Sequence, residues 1–201
     1  MTTKELIKPL LTFPHKDSFY FCQILQRKKD HKGTALGGSN NTSRLIKAYY
    51  ITSVAKLEVH WEEMATLANI FNARVSINLN PRSFEKTAFA VLQKIANQMA
   101  NKDFYNVRKA YDSVCGIYQD EQDKRRLIDI DAEDLSSLEQ IRKDVIEIQS
   151  EITNREYKIL AEIPSKSGIH LITNPFNLAK FSLKWPRIEI HKNNPTNLYI
   201  P

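Results

Sequence analysis

The chain has 201 residues, and its 29 lysines and arginines outnumber its 23 aspartates and glutamates, giving a formal net charge of +6. The 42% hydrophobic fraction, with only 5 glycines and 8 prolines, excludes a disordered or fibrous protein. No apolar run approaches the roughly 20 residues that span a bilayer, and Met1 to Leu11 lacks the pattern of a secretion signal. We therefore expect a soluble, cytoplasmic protein without a membrane partner, whose basic balance favours a polyanion such as nucleic acid.

The first half of the chain predicts mixed α and β structure. A short helix over 4–11 precedes an aromatic-rich strand over 19–25, and the glycine- and asparagine-rich stretch 31–43 predicts a mobile loop. A strand over 45–52 leads to a helix over 57–71 that carries an apolar stripe at helical spacing. We expect this stripe in the core, and it comprises Leu57, Trp61, Met64, Leu67, Ala68 and Phe71.

A strictly alternating segment, 74–80, predicts a strand that ends at Pro81, and helices over 84–99 and 104–115 follow. Its polar face either lines a groove for a nucleotide or nucleic-acid strand, together with Arg82, or simply faces water. The residues of this polar face are Arg74, Ser76, Asn78 and Asn80.

The second half predicts the order strand, helix, strand, strand, helix, strand, strand. This order is typical of an α+β protein, with an antiparallel sheet and helices packed on one side. We expect two lobes with a cleft between them, a mixed αβ lobe over 1–118 and a sheet lobe over 119–201. Ser136 and Glu139 form a capping-box signature at the start of the first helix. The predicted strands are 126–131, 157–163, 169–173, 187–191 and 198–200, and the helices are 137–151 and 177–183.

Two carboxylates point the same way on the strand 126–131. In Leu127-Ile128-Asp129-Ile130-Asp131, the period of two places Asp129 and Asp131 on one face and the isoleucines on the other. Carboxylates this close repel each other unless a cation lies between them, and hard divalent cations prefer oxygen ligands. A bound Mg²⁺ or Mn²⁺ explains the pair. Alternatively, Asp131 begins an acidic turn that caps the next helix while Asp129 is solvated on an edge strand.

A hydroxyl-rich turn leads into a strand that carries a histidine. Ser165 can donate to phosphate oxygens, Lys166 supplies positive charge, and Gly168 allows a close backbone approach to a ligand. His170 would then face the same ligand. As an ordinary hairpin turn followed by a half-buried histidine, the segment needs no function, and taken alone it favours this interpretation.

Glu189 repeats the pattern of a strand acid between two isoleucines, and it would complete a set of three carboxylates. The basic run of Lys124, Arg125 and Arg126 leads directly into the Asp129 strand. This run either contacts nucleic-acid phosphates or forms a solvated surface.

Taken in chain order, DID at 129–131, SKSGIH at 165–170 and IEI at 188–190 resemble the three motifs of the archaeo-eukaryotic primase superfamily. The resemblance covers mainly 126–201, and the closing segment 193–201 resembles the hairpin that follows the third motif in primase-polymerases of plasmids and phages. It implies a single primase-polymerase-like catalytic core over 1–201, in which the second lobe is an RRM-like antiparallel sheet.

The resemblance also implies roles for individual residues. Asp129, Asp131 and Glu189 match the catalytic metal ligands for Mg²⁺ or Mn²⁺, although the third position is more typically an aspartate. His170 matches the histidine that contacts the triphosphate of the incoming nucleotide, and Ser165, Lys166 and Gly168 match the turn before it. For nucleic-acid contact we name Arg74, Asn80, Arg82, Lys124, Arg125 and Arg126.

The implied activity is transfer of nucleotides from nucleoside triphosphates to a 3′-hydroxyl on a DNA template and primer, in replication of a plasmid, phage or other mobile element. A separate helicase or priming domain is an expected partner. One alternative is a catalytically silent nucleic-acid-binding accessory protein of the same fold. Another is a histidine-dependent nicking initiator, but no histidine-hydrophobe-histidine pair exists in the chain.

Overall fold

The computed structural model describes residues 2–28, 43–117, 124–148, 157–193 and 195–201. The predicted mobile loop at 31–43 lies outside these ranges, apart from Ser43. None of the helices in the described ranges has the length and apolar character needed to cross a bilayer.

Helices and strands occur in both halves of the described chain, and both sheets that the strands form are antiparallel. The predicted α+β class is therefore confirmed. The first half contains α1 (Thr3–Ile7), β1 (Ser18–Arg27), β2 (Ser43–Ile51), α2 (Val54–Phe71), β3 (Arg74–Asn78), β4 (Arg82–Ser83), α3 (Phe84–Ala100), α4 (Phe104–Val107) and α5 (Ala110–Ile117). The second half contains β5 (Arg126–Asp131), α6 (Leu138–Glu147), β6 (Ile159–Pro164), β7 (Gly168–Thr173), α7 (Leu178–Lys184), β8 (Glu189–His191) and β9 (Pro195–Tyr199).

The first sheet has the strand order β2-β1-β3-β9, and β4 pairs with β1. One face packs against α2, which begins at the N-cap Ser53 and ends at Asn72 in the left-handed conformation. The predicted apolar stripe lies at this contact, as expected. Its members Leu57, Met64 and Ala68 are buried, and Trp61, Leu67 and Phe71 pack around them.

The second sheet has the strand order β6-β7-β5-β8. With α6 between β5 and β6, and α7 between β7 and β8, the connectivity is β-α-β-β-α-β, a split β-α-β arrangement. Ile128 and Ile130 are fully buried against α6 and α7, in one cluster with Ile141 and Phe181. The period of two predicted for β5 is confirmed, because its isoleucines face the helices and its acids face away.

A buried carboxylate ties α6 to the end of α7. Asp144 is 3% exposed and accepts hydrogen bonds from Trp185 Nε1 at 2.8 Å, Lys184 Nζ at 2.5 Å and Gln140 Nε2 at 3.0 Å. Burial tends to raise the pKa of Asp144, but these donors outweigh it and hold the pKa below its ordinary value. The network fixes the helical layer behind β5.

The chain ends in the first sheet rather than in the second. β9 leaves the neighbourhood of β8 and pairs with β3, so that Ser76 lies opposite Asn197 and Ile77 opposite Thr196. This differs from the predicted lobes, because residues 195–199 lie outside the sheet lobe assigned to 119–201, and β8 and β9 form no hairpin. Leu127, Ile163 and Ile172 of the second sheet also share one core with the first sheet.

The start of α6 differs from its predicted capping box. A 3-10 turn over Ala132–Ser137 precedes the helix, and Ser137 occupies the N-cap position without a side-chain hydrogen bond. Glu139 instead contacts Arg142 one turn along the helix. The predicted capping box does not form, and α6 instead continues from the acidic 3-10 turn that follows Asp131.

Candidate functional site

A cleft of about 1150 Å³ lies where the two sheets meet. The second sheet contributes acids and histidines from β5, β7 and β8, and the first sheet contributes arginines and neutral polar groups from β1, β3 and β9. The cleft thus has an acidic wall and a cationic wall. The predicted site residues that line it are Asp129, Asp131, Glu189, Ser165, Lys166, His170 and Arg74.

Three of the predicted residues form one cross-strand row. Asp129 on β5 pairs with His170 on β7 and with Glu189 on β8. Residues directly opposite in antiparallel strands present their side chains on the same face. The side chains of His170, Asp129 and Glu189 are 12%, 34% and 74% exposed, so the row runs from a nearly buried histidine to an open acid.

His170 is held at both ring nitrogens. Its Nδ1 lies 2.9 Å from Thr196 Oγ1 on β9, and its Nε2 lies 3.5 Å from Asp129 Oδ1. Burial lowers the pKa of His170 below its ordinary value of 6.5, Asp129 opposes this shift, and His191, Arg74 and Arg27 add to it. The neutral form of His170 is therefore favoured when the cleft holds no ligand. An anion bound beside the ring would instead stabilise the protonated form.

Asp131 lies one pleat beyond Asp129 and is exposed at the mouth of the cleft, opposite Gly168 on β7. The acidic turn that follows adds Glu133 and Asp134 to the same wall. Within the described ranges, no group of three or more His, Cys, Asp or Glu side chains is placed to hold a metal ion. Asp129 and Asp131 nevertheless suit Mg²⁺, which commonly uses one or two protein carboxylates and takes its remaining oxygens from water and substrate phosphates.

Gly168 has a different role from the one predicted. A Cβ atom at this position would lie 1.9 Å from the carbonyl oxygen of Ile130. The glycine therefore permits β7 to approach β5 beside Asp131, and it is not among the residues that line the cleft. The turn that should contact a ligand is formed by Ser165, Lys166 and Ser167, which do line the cleft, and Ser165 N donates to Gly168 O at 2.9 Å.

Gly168→Ala is expected to break the end of the β5–β7 ladder, because the added methyl group collides with backbone rather than with a movable side chain. We expect a loss of about 1–3 kcal/mol in the free energy of unfolding, as for an overpacked core position. Urea denaturation of the variant measures it. Gly116→Ala is the matched control, since a Cβ there meets nothing within 4 Å. Equal stability of the Gly168 variant and the native chain would contradict this role.

The predicted nucleic-acid contacts are mostly buried, which corrects the sequence-based assignment. Arg82 is 1% exposed, and it donates from Nη1 to Asn80 O at 2.8 Å and from Nε to Cys115 O. Asn80 is 2% exposed and bonds the backbone of Arg125 and Lys192. These side chains connect the first sheet to α5 and to the residues just before β5 and just after β8.

Arg125 and Arg126 also face inward. Arg125 is 6% exposed and donates from Nη1 to Leu79 O at 3.0 Å, and Arg126 is 8% exposed and donates to Phe176 O. Among the predicted contacts, Lys124 is exposed and Arg74 lines the cleft. A basic run in the sequence thus resolves into one surface lysine and two arginines that bond backbone carbonyls.

Arg82→Ala is accordingly expected to destabilise the fold rather than to weaken nucleic-acid binding directly. Its removal leaves the Cys115 and Asn80 carbonyls without these bonds, so we expect a loss of about 2–4 kcal/mol in unfolding free energy. Thermal denaturation measures the change, with the exposed Lys124→Ala as control. An unchanged melting temperature in the Arg82 variant would contradict the structural role.

The sequence interpretation missed several residues of the cleft. His191 lies two residues after Glu189 on β8 and 3.2 Å from it, so the period of two could have placed it on the same face. Arg27 at the end of β1 and Arg187 before β8 add positive charge. Asn197 in the cleft, and Thr196 beside His170, could not have been found, because nothing in the local pattern indicates that β9 joins the first sheet.

Comparison with known proteins finds no match to this chain among protein families, curated proteins or solved structures. The structure is that of an α+β protein of two antiparallel sheets, with a cleft of opposed acidic and cationic walls at their junction.

Proposed function

We propose that the protein is a metal-dependent nucleotidyltransferase of the primase-polymerase type, acting on nucleoside triphosphates and a DNA template and primer. The observation that carries this proposal is the row of His170, Asp129 and Glu189, with Asp131 one pleat further, facing arginines across a single cleft.

The charges of the cleft match those of a metal-bound triphosphate. The carboxylates of β5 suit the cations, while Arg27, Arg74 and Lys166 suit phosphate oxygens. His170 lies between the two groups, within 3.5 Å of Asp129 and close enough to Arg74 and Arg27 for their charges to lower its pKa. A ligand that carried only positive or only negative charge would satisfy one wall and leave the other unmatched.

The connectivity of the second sheet gives further support. Its β-α-β-β-α-β order is that of RRM-like sheets, which the resemblance to primase-polymerases implies for the sheet that carries the acids. Asp129 and Asp131 lie on the face opposite the helices, on β5, which is one of the two inner strands of this sheet. Connectivity of this kind serves many functions, so the side chains of the cleft carry the proposal and the connectivity adds to it.

In the proposed reaction, a primer 3′-hydroxyl oxygen attacks the α-phosphate of the incoming nucleotide. A new ester bond forms, the bond to the β-phosphate bridging oxygen breaks, pyrophosphate leaves, and the hydroxyl proton passes to solvent. Divalent ions held by Asp129 and Asp131 would stabilise the charge on the attacking and leaving oxygens. His170, Lys166 and Arg74 orient the triphosphate, and Ser165 and Ser167 donate hydrogen bonds from the turn.

A primer-extension assay with labelled primer, template, all four nucleotides and either Mg²⁺ or Mn²⁺ tests the proposal. We expect template-dependent incorporation that disappears with EDTA.

The cellular setting that we propose is replication of a plasmid, phage or mobile element, with a separate helicase or priming domain as partner. Tight template binding without incorporation under any metal would instead favour a silent accessory protein of the same fold.

A further inference from the structure

A neutral polar ledge lies on the wall of the cleft that the first sheet contributes. It consists of Ser76 on β3 and Asn197 on β9, which are directly paired in the first sheet and both line the cleft. Ser76 is 7% exposed and Asn197 is 4% exposed. Among the described residues, Asn197 Nδ2 has no hydrogen-bond partner.

An unmet buried donor is uncommon, because the amide loses its water without gaining an acceptor. The other asparagines that join β3 to the C-terminal segment are satisfied: Asn78 Nδ2 donates to Asn193 O at 2.6 Å, and Asn80 Nδ2 donates to two carbonyls. Of these three asparagines, the one with the unmet donor is Asn197, which lines the cleft. A ligand that brings an acceptor to this point would satisfy it.

The position of the ledge indicates which part of a nucleotide it would meet. Thr196, the residue before Asn197, holds the ring of His170, and Arg74 lies two residues from Ser76 along β3. The charged phosphates of a nucleotide bound here would be matched by His170, Arg74 and the metal-bearing acids. A hydroxyl and an amide are suited instead to neutral groups that both donate and accept hydrogen bonds, and the sugar hydroxyls of the nucleotide are such groups.

We infer that Asn197 is a positioning residue that donates a hydrogen bond to a sugar hydroxyl of the incoming nucleotide, with Ser76 beside it. This inference rests on the proposed function. The contact would order the nucleoside end of the substrate while the triphosphate is held by the charged groups. Loss of such a contact weakens binding only for nucleotides that carry the hydroxyl.

The test is equilibrium binding of a ribonucleoside, a 2′-deoxy and a 2′,3′-dideoxynucleoside triphosphate, measured by calorimetry with Ca²⁺. In the native protein, removing the contacted hydroxyl should weaken binding about five- to tenfold, the value of one neutral hydrogen bond. In Asn197→Ala, the nucleotides with and without the contacted hydroxyl should bind with about equal affinity. The nucleotide that lacks the hydroxyl should bind to the variant as it does to the native protein. If the affinity difference between the ribo- and 2′-deoxynucleotide disappears, the contact is to the 2′-hydroxyl. If the difference between the 2′-deoxy- and dideoxynucleotide disappears, the contact is to the 3′-hydroxyl.

Thr196→Val is the matched control from the adjacent position. It removes the partner of His170 Nδ1, so it should weaken the binding of all three nucleotides by the same factor. The ratios of their affinities should stay unchanged. Circular dichroism melting establishes that each variant is folded. If Asn197→Ala weakens all three ligands equally, or none of them, the sugar contact is wrong while the proposed function stands. If the native protein binds no triphosphate, both are wrong.

Discussion

Asp129→Asn and Asp131→Asn are each expected to reduce nucleotide incorporation by about a thousandfold or more, because either change removes a charged oxygen ligand from the proposed metal site. The substitutions keep the side-chain shape, and both acids lie on the cleft face of β5 rather than in the core. The fold should therefore persist. Single-turnover primer extension with Mg²⁺ and Mn²⁺ measures the loss.

Glu133→Gln is the matched control for these variants. Glu133 lines the same wall of the cleft only two residues beyond Asp131, but it belongs to the 3-10 turn and not to β5. We expect it to retain activity within about threefold, since a surface charge change acts mainly through the screened general field. Equal losses in all three variants would mean that the acidic wall acts through its overall charge and not through a defined site.

His170→Ala is expected to raise the KM for nucleotide at least about tenfold and to abolish its pH dependence, because a charge-assisted hydrogen bond to phosphate is lost. The free protein has a lowered His170 pKa, and a bound phosphate would raise it. Nucleotide binding should therefore take up a proton. Affinity should be strongest at low pH and should fall as pH rises through the pKa of the complex.

The second histidine of the cleft separates this effect from a general charge effect. His191 lowers the pKa of His170, so His191→Gln should keep the pH dependence but move its midpoint upward. His170→Gln should remove the pH dependence of the nucleotide KM. Nucleotide KM measured from pH 5.5 to 8.5 for both variants tests the assignment. A pH dependence that survives in His170→Gln would show that another group titrates.

Local periodicity predicted the part of the site that lies within single strands. The alternation of β5 placed Asp129 and Asp131 on one face and the isoleucines on the other, and burial of Ile128 and Ile130 confirms it. The paired strands around the Ser165 turn were also found from their sequence, since a hairpin is a local structure. The row of Asp129 with His170 and Glu189 required the register between strands, which the sequence alone does not supply.

Long-range contacts account for the rest. Arg82 belongs to a polar segment and was expected at a groove, but its guanidinium reaches backbone carbonyls in the interior. β9 joins the first sheet by pairing with β3, which lies far earlier in the chain, and it brings Thr196 to His170 and Asn197 to Ser76. Neither outcome follows from residue type or local spacing, because both depend on where distant segments pack.

We propose that β5 holds a divalent cation that carries a nucleoside triphosphate. Mn²⁺ binding followed by electron paramagnetic resonance, with and without a non-hydrolysable nucleoside triphosphate, tests it most directly. The native protein should bind Mn²⁺ weakly alone and more tightly with the nucleotide, since the phosphates complete the oxygen ligands. Asp131→Asn should lose the nucleotide-dependent binding, and Glu133→Gln should keep it. Identical Mn²⁺ binding by the native protein and the Asp131 variant, with nucleotide present, would contradict the claim.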